Sequence, residues 1–196
     1  MSQTLVKLIG GDLAALTPHL ALNPEAAAVI AGCAEVPAAL ERLEQAGFLT
    51  EATRLVAHAL PKREAVWWAC MCVTHTAPPD LPAIDRAARE AAEEWVRQQS
   101  DRTRRTAFDQ AQAGGCRSPE AWAAIAAFWS GDSMSPEGQP AVPPAPHLAG
   151  TAAAGAVALA SVRGDVTRRE ARLRRFLESG RNVAAGGPGR LPAETA

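Results

Sequence analysis

Along most of this chain apolar side chains return every three or four positions, the period of a helix with one covered face. The pattern is plainest over residues 81–99, where Ile84, Ala88, Ala91, Ala92 and Trp95 form one stripe and the opposite face is charged. Leu40 with Leu43 repeats it, as do Trp122, Ile125 and Trp129 with Phe128 beside them, and later Leu173, Phe176 and Leu177. One segment departs from it: Ala65 to Val73 is an unbroken apolar run behind the charged Lys62-Arg63-Glu64. Such a run suits either a buried strand or a helix buried all round, and Glu64 in a first turn together with the alanines favours the helix.

Capping and breaking residues divide the pattern into elements. Asn23-Pro24-Glu25 reads as a cap, a proline at the first helical position and a first-turn acid, opening a helix that Gly32 ends. Pro37 starts a second, closed by Gly47 as a left-handed cap. Thr50 caps a third that runs to Leu60, and Pro61 begins a fourth. Asp80 caps the amphipathic helix over 81–99, Asp101 caps one ended by Gly114-Gly115, and Ser118-Pro119-Glu120 opens the next. Prolines 136, 140, 143, 144 and 146 exclude regular structure from residues 131–146. Helices resume from Pro146 to Arg163 and from a cap at Asp165 to Ser179, with Gly180 beyond. The expected organisation is an irregular N-terminal arm over residues 1–22, containing Gly10-Gly11, then a single helical domain over 23–180, then a disordered tail over 181–196. The fold class is all-α, an irregular multi-helix bundle or a short helical solenoid.

Composition strengthens that reading. Alanine accounts for 44 of the 196 residues, tyrosine is absent and aromatics are 5%. Alanine is the best helix former and is depleted from strands, so a sandwich or barrel is excluded. Gly150, Ala154, Gly155 and Ala158 leave one side of their helix with almost no bulk, which predicts close approach of a neighbour there. Twenty basic and 21 acidic residues give a net charge of −1, with no overall drive toward nucleic acid or anionic lipid. The longest apolar stretch, Leu148 to Val162, is too short and too rich in Ala and Gly for a membrane span. Residues 1–11 lack the apolar core of a secretory signal, and Cys33, Cys70, Cys72 and Cys116 are sparse enough to read as reduced. The expected location is cytoplasmic.

Candidate chemistry is thin. Cys70-Met71-Cys72-Val73-Thr74-His75 is the most metal-like string, but on a helix Cys70 and Cys72 point about 200° apart. Buried, inert thiols are the better reading, and no metal or cofactor is expected. His19, His58, His75 and His147 have no local motif partner, and no catalytic residue is assigned. Glu93 and Glu94 fall on a charged helix face that suits ion pairs in water. Gly186-Gly187-Pro188-Gly189 has neither the strand before it nor the helix after it that a phosphate loop needs. Residues 163–190 carry eight arginines against Asp165, Glu170 and Glu178. Arg168, Arg169, Arg172, Arg174 and Arg175 are read as a solvated face around a docked apolar stripe, with an acidic protein as the partner they would suit. Trp67 and Trp68 point about 100° apart on a helix, so either that helix is central or one ring is available for contacts. The proline-rich loop favours polyproline II, or a strap laid over Trp122 and Trp129.

Three stretches carry a resemblance. Leu60-Pro61-Lys62-Arg63-Glu64-Ala65-Val66-Trp67-Trp68-Ala69-Cys70, Ala127-Phe128-Trp129-Ser130-Gly131-Asp132-Ser133 and Pro143-Pro144-Ala145-Pro146-His147-Leu148 resemble a family of uncharacterised bacterial proteins, a domain of unknown function associated with type VI secretion genes. The resemblance covers most of residues 35–163 and carries over no catalytic residue. It implies a small bacterial cytoplasmic protein acting as an accessory or adaptor.

The expected function is therefore a non-enzymatic helical interaction module with a protein partner, not nucleic acid or membrane. Its surface is placed at Arg63 and Trp67, with Pro143 and Pro144 as the adjoining edge, because Arg and Trp dominate interface hot spots and proline-stiffened loops lose little entropy on binding. The alternative is an enzyme whose site is built from non-local residues. It requires polar groups converging in a deep cleft around a titratable side chain with a perturbed pKa.

Overall fold

The structure, a computed structural model, describes residues 5–8 and 13–195. The expected Gly10-Gly11 break lies outside the described residues. Several of the expected caps mark their helices. Asn23 Oδ1 accepts the Ala26 N–H at 2.7 Å, and Pro24 opens α2 (Pro24–Ile30). Before it stand α1 (Leu13–Leu16) and a 3-10 turn, Thr17–His19. The helix α3 (Val36–Gln45) closes with Gly47 at φ +81°, which lets the Phe48 N–H reach back to the Leu43 carbonyl at 2.8 Å. Then come α4 (Leu49–Ala59), α5 (Lys62–His75), α6 (Ala83–Arg97) and α7 (Asp101–Ala113). Ser118 caps α8 (Pro119–Trp129), and α9 (Leu148–Ser161), a 3-10 turn at Val166–Arg168 and α10 (Arg169–Ala184) complete the chain. Among the described residues there are ten α-helices and no strand, so the fold is all-α.

Several expected caps are displaced. Ser100, not Asp101, caps α7, through a reciprocal pair of bonds with Thr103, leaving Asp101 in the first turn to bind Arg104 and Arg105. No side chain caps α4 or α6. Asp165 caps only the 3-10 turn, and α10 runs straight through Gly180. Gly180 sits where a Cβ would lie 2.8 Å from Val56 Cγ1 and 3.2 Å from Trp68 Nε1. It is a close-approach glycine between packed helices rather than a helix stop, and the helix expected to end at Ser179 continues to Ala184. The tail expected to be disordered is likewise helix to Ala184 and then a strap bonded to the body.

Hydrophobic burial places α5 and α9 at the centre. Trp68 is fully buried on α5, its indole N–H donating to the Phe176 carbonyl of α10 at 2.8 Å. The helix α9 packs against α8, α5, α4 and α10, contacts between distant elements that a sequential solenoid does not make. On its other side α8 packs against α6 and α7, where Phe108 and Phe128 stack at 4.1 Å between centroids. The side of α9 that disappears completely is Ala149, Ala152, Ala153, Ala156, Val157 and Ala160. Of the four small residues expected to meet a neighbour closely, Gly150 is buried and a Cβ at Gly155 would lie 3.0 Å from Trp122 Cε3, while Ala154 and Ala158 are half-buried. No helix among the described residues is long and apolar enough to cross a membrane.

The loop over 131–146 has no regular structure, as its prolines demand. Ser133 closes it: its hydroxyl accepts the N–H groups of Ser135 and Val142, both at 3.1 Å, and Met134 N–H meets the Val142 carbonyl at 2.7 Å.

Candidate functional site

At the start of α5, Arg63 and Trp67 lie one turn apart and line the same open cleft with Lys7, Val96, Arg97 and Val183. Arg63 Nε donates to the Val96 carbonyl at 2.9 Å, so its guanidinium satisfies an orphan carbonyl in the last turn of α6. Its neighbour Glu64 pairs with Lys7 at 3.2 Å. Pro143 is exposed and Pro144 buried, and neither lines this cleft, so the proposed edge does not adjoin Arg63 and Trp67 there.

Trp67 begins a second arrangement that the sequence did not announce. Its indole N–H donates to the Pro188 carbonyl at 2.8 Å, the first of a row of bonds that hold residues 187–195 along α5 and α10. Gly187 and Gly189 N–H bond the backbone and side-chain oxygens of Asn182 at 2.8 and 2.7 Å, and Ser179 Oγ donates to the Gly189 carbonyl. Farther along, His75 Nδ1 meets the Pro192 carbonyl, and Glu194 N–H donates to the His75 carbonyl at 2.7 Å. A carbonyl only accepts, so Nδ1 is the donor, and the buried Nε2 has no partner among the described residues.

The row ends on Arg172, which is 5% exposed. Its Nη1 donates to the carbonyls of Ser161, Arg163 and Asp165, and its Nε and Nη2 grip the Glu194 carboxylate, the latter at 2.6 Å. Bonding to Arg172 holds the Glu194 carboxyl below the usual carboxylate range. Arg172 is therefore a buried clamp rather than part of a solvated face. Arg174 does pair with Glu170 in water at 2.8 Å, and Arg168 bonds the Thr195 carbonyl at 2.8 Å. Beside the strap, His75, Arg168 and Arg175 line an open cleft of about 540 Å³.

A third feature is assembled from three distant stretches. His19 from the 3-10 turn, His58 from α4 and His147 from the turn before α9 share one cleft of about 280 Å³. The rings of His19 and His147 stack at 4.1 Å and 8°, and those of His19 and His58 lie 5.9 Å apart. Burial, then the neighbouring His19 and His147, lower the His58 pKa to about 4. Each histidine stands alone in sequence, so only the tertiary fold brings them together. Parallel stacked imidazoles aim their in-plane lone pairs side by side rather than at one point, which is poor metal geometry. Among the described residues no group of three or more His, Cys, Asp or Glu is disposed to hold a metal ion.

The remaining candidates are structural. Cys70 and Cys72 are fully buried, and burial pushes both thiols far up, away from the reactive thiolate. Glu93 and Glu94 pair with Arg97 at 3.1 and 3.3 Å on the surface of α6. Glu120, fully buried on α8, takes a 2.5 Å bond from Arg163 just beyond α9 and ties those helices together.

Comparison with known proteins adds one relation. No curated protein and no solved structure matches the chain. The model of DUF6931, a family of unknown function, matches residues 39–184, a span that holds α4 to α10, Arg63, Trp67, His75 and Arg172 and stops where the strap begins. With well over half of its length inside that match, the chain belongs to this family of unknown function.

Proposed function

We propose that this protein is a non-enzymatic interaction module whose α5–α10 groove receives an irregular, acidic protein segment. The observation that carries the reading is the manner in which residues 187–195 occupy that groove. They are held largely by their own main-chain groups, with one carboxylate locked on a buried arginine. Main-chain bonding supplies affinity and a side-chain clamp supplies specificity, the division of labour of peptide-recognition surfaces. Arg172 is preorganised by three carbonyls before any carboxylate arrives, so little is lost in ordering it. Arg168 and Arg175 alongside extend the same preference for acid. An accessory or adaptor role in a bacterial secretion system, and a cytoplasmic location, rest on the sequence resemblance and are part of the proposal.

The test uses a synthetic peptide of residues 186–196 and the full chain carrying Glu194→Arg, which sets a cation against Arg172 and Arg168 and opens the groove. Fluorescence anisotropy of the labelled peptide should give binding at least about tenfold tighter to this variant than to the parent, whose groove is filled. Adding Trp67→Phe, which removes the indole donor to Pro188, should weaken that binding. A folded Glu194→Arg chain that takes up no peptide would make the strap a part of the fold and end this reading.

A further inference from the structure

We infer that the cleft shared by His19, His58 and His147 is a binding site for a small organic carboxylate. Four observations converge on it. Every polar side chain among its described lining residues is an imidazole or an ammonium: His19, His58, Lys62 and His147, without a single acid. Among the described residues none of these four side chains has a hydrogen-bond or ion-pair partner, whereas Lys7, Arg97, Arg105, Arg172 and Arg174 are each paired with Glu or Asp. The rest of the wall is apolar, including Leu16, Ala57, Leu60, Ala65 and Pro146, and a volume of about 280 Å³ suits a ligand of modest size with an apolar body. Gly150 keeps the floor open, since a Cβ there would lie 2.6 Å from His58 Nδ1.

The electrostatics choose the sign of the ligand. The rings of His19 and His147 stack at 4.1 Å and Lys62 lines the same cleft, so positive charge gathered there repels itself. An anion between them reverses that penalty. Burial chiefly, and then the neighbouring His19 and His147, lower the His58 pKa to about 4. Carboxylate binding and imidazole protonation therefore reinforce one another, and affinity rises as pH falls. A neutral ligand of the same shape lacks this coupling. Inorganic phosphate shares the charge and lacks the apolar body, so it separates the head-group contribution from the whole. A divalent metal would need the three rings to turn out of their stack.

The experiment is a titration of the full-length, isotope-labelled chain followed by the imidazole C–H resonances, with benzoate as the probe and benzamide, inorganic phosphate and zinc as separate arms. Benzoate should produce saturable shifts at His19, His58 and His147, with affinity about tenfold higher at pH 6 than at pH 8. Benzamide should produce none, and phosphate should bind more weakly than benzoate. Lys62→Gln and His147→Gln should each weaken benzoate at pH 6; the pH dependence and the benzamide arm test the parent chain even where a variant fails to fold. No saturation, equal responses to benzoate and benzamide, phosphate binding as tightly as benzoate, or stoichiometric zinc held by the three imidazoles would each overturn the assignment.

Discussion

His58 demonstrates how one residue's chemistry is set by where the fold puts it. In an unfolded chain its imidazole titrates near the ordinary value of 6.5, whereas in the folded protein burial, His19 and His147 lower it to about 4. Between those values the unfolded state binds more protons than the folded state, so stability rises with pH across the window and levels off above 6.5. His58→Gln removes the titration while keeping a polar side chain. Its unfolding free energy, measured by urea denaturation from pH 4 to pH 7, should show a shallower slope than the parent over that interval. Parallel curves for the two chains would mean that folding leaves the His58 pKa unchanged. Arg63 illustrates the opposite case. Its residue type advertises an interface anchor, yet its Nε is engaged with the Val96 carbonyl at the end of α6, a role in holding two helices that residue type alone does not disclose.

At the scale of elements, local signals mark some helix bounds, while those at Thr50, Asp80 and Asp101 do not. Asn23, Ser118 and Gly47 act within a few residues of themselves, and each marks its boundary correctly. Gly180 carries the same letter as Gly47 but answers to Val56 and Trp68 on other helices, so no local reading identifies it as helical. The helix α9 gives a related lesson. Its alanines announce close packing, but with small residues all round the sequence does not say which side faces inward. The buried side holds Ala156, enclosed by neighbouring helices, while Ala158 is half-buried. Ala156→Leu should therefore destabilise by about 1–3 kcal/mol through overpacking, and Ala158→Leu should change stability by no more than about 0.5 kcal/mol. Equal denaturation midpoints for the two variants would show that the packed side is wrongly assigned.

Across the whole molecule, both candidate sites are products of long-range assembly. The histidine cleft joins positions 19, 58 and 147, and the strap joins residues 187–195 to Trp67, His75 and Arg172. Trp67 was legible because an indole beside a second indole on one helix needs two different partners. Arg172 was not, since five arginines in eight residues look alike until one is buried. The strap itself shows no period because its hydrogen-bond partners belong to other elements. Its anchorage has a definite pH dependence. Arg172 holds the Glu194 carboxyl below the usual carboxylate range, so the docked state prefers the ionised form. A depressed carboxyl contributes stability that is complete above its ordinary value of 4.5 and is lost as pH falls through the lowered value. Acidification should then release the far end of the strap. Two reporters read it directly: exchange of the Glu194 amide, which is bonded to the His75 carbonyl, and the indole N–H resonance of Trp67, bonded to Pro188. Below pH 4.5 the Glu194 amide should lose protection before the helices unfold, with the Trp67 signal following as release spreads along the strap. In Glu194→Gln, whose side chain cannot ionise, the amide should be less protected at neutral pH and its protection should be nearly flat with pH. Protection in the parent that survives unchanged until global acid unfolding would mean that the carboxylate does not anchor the strap.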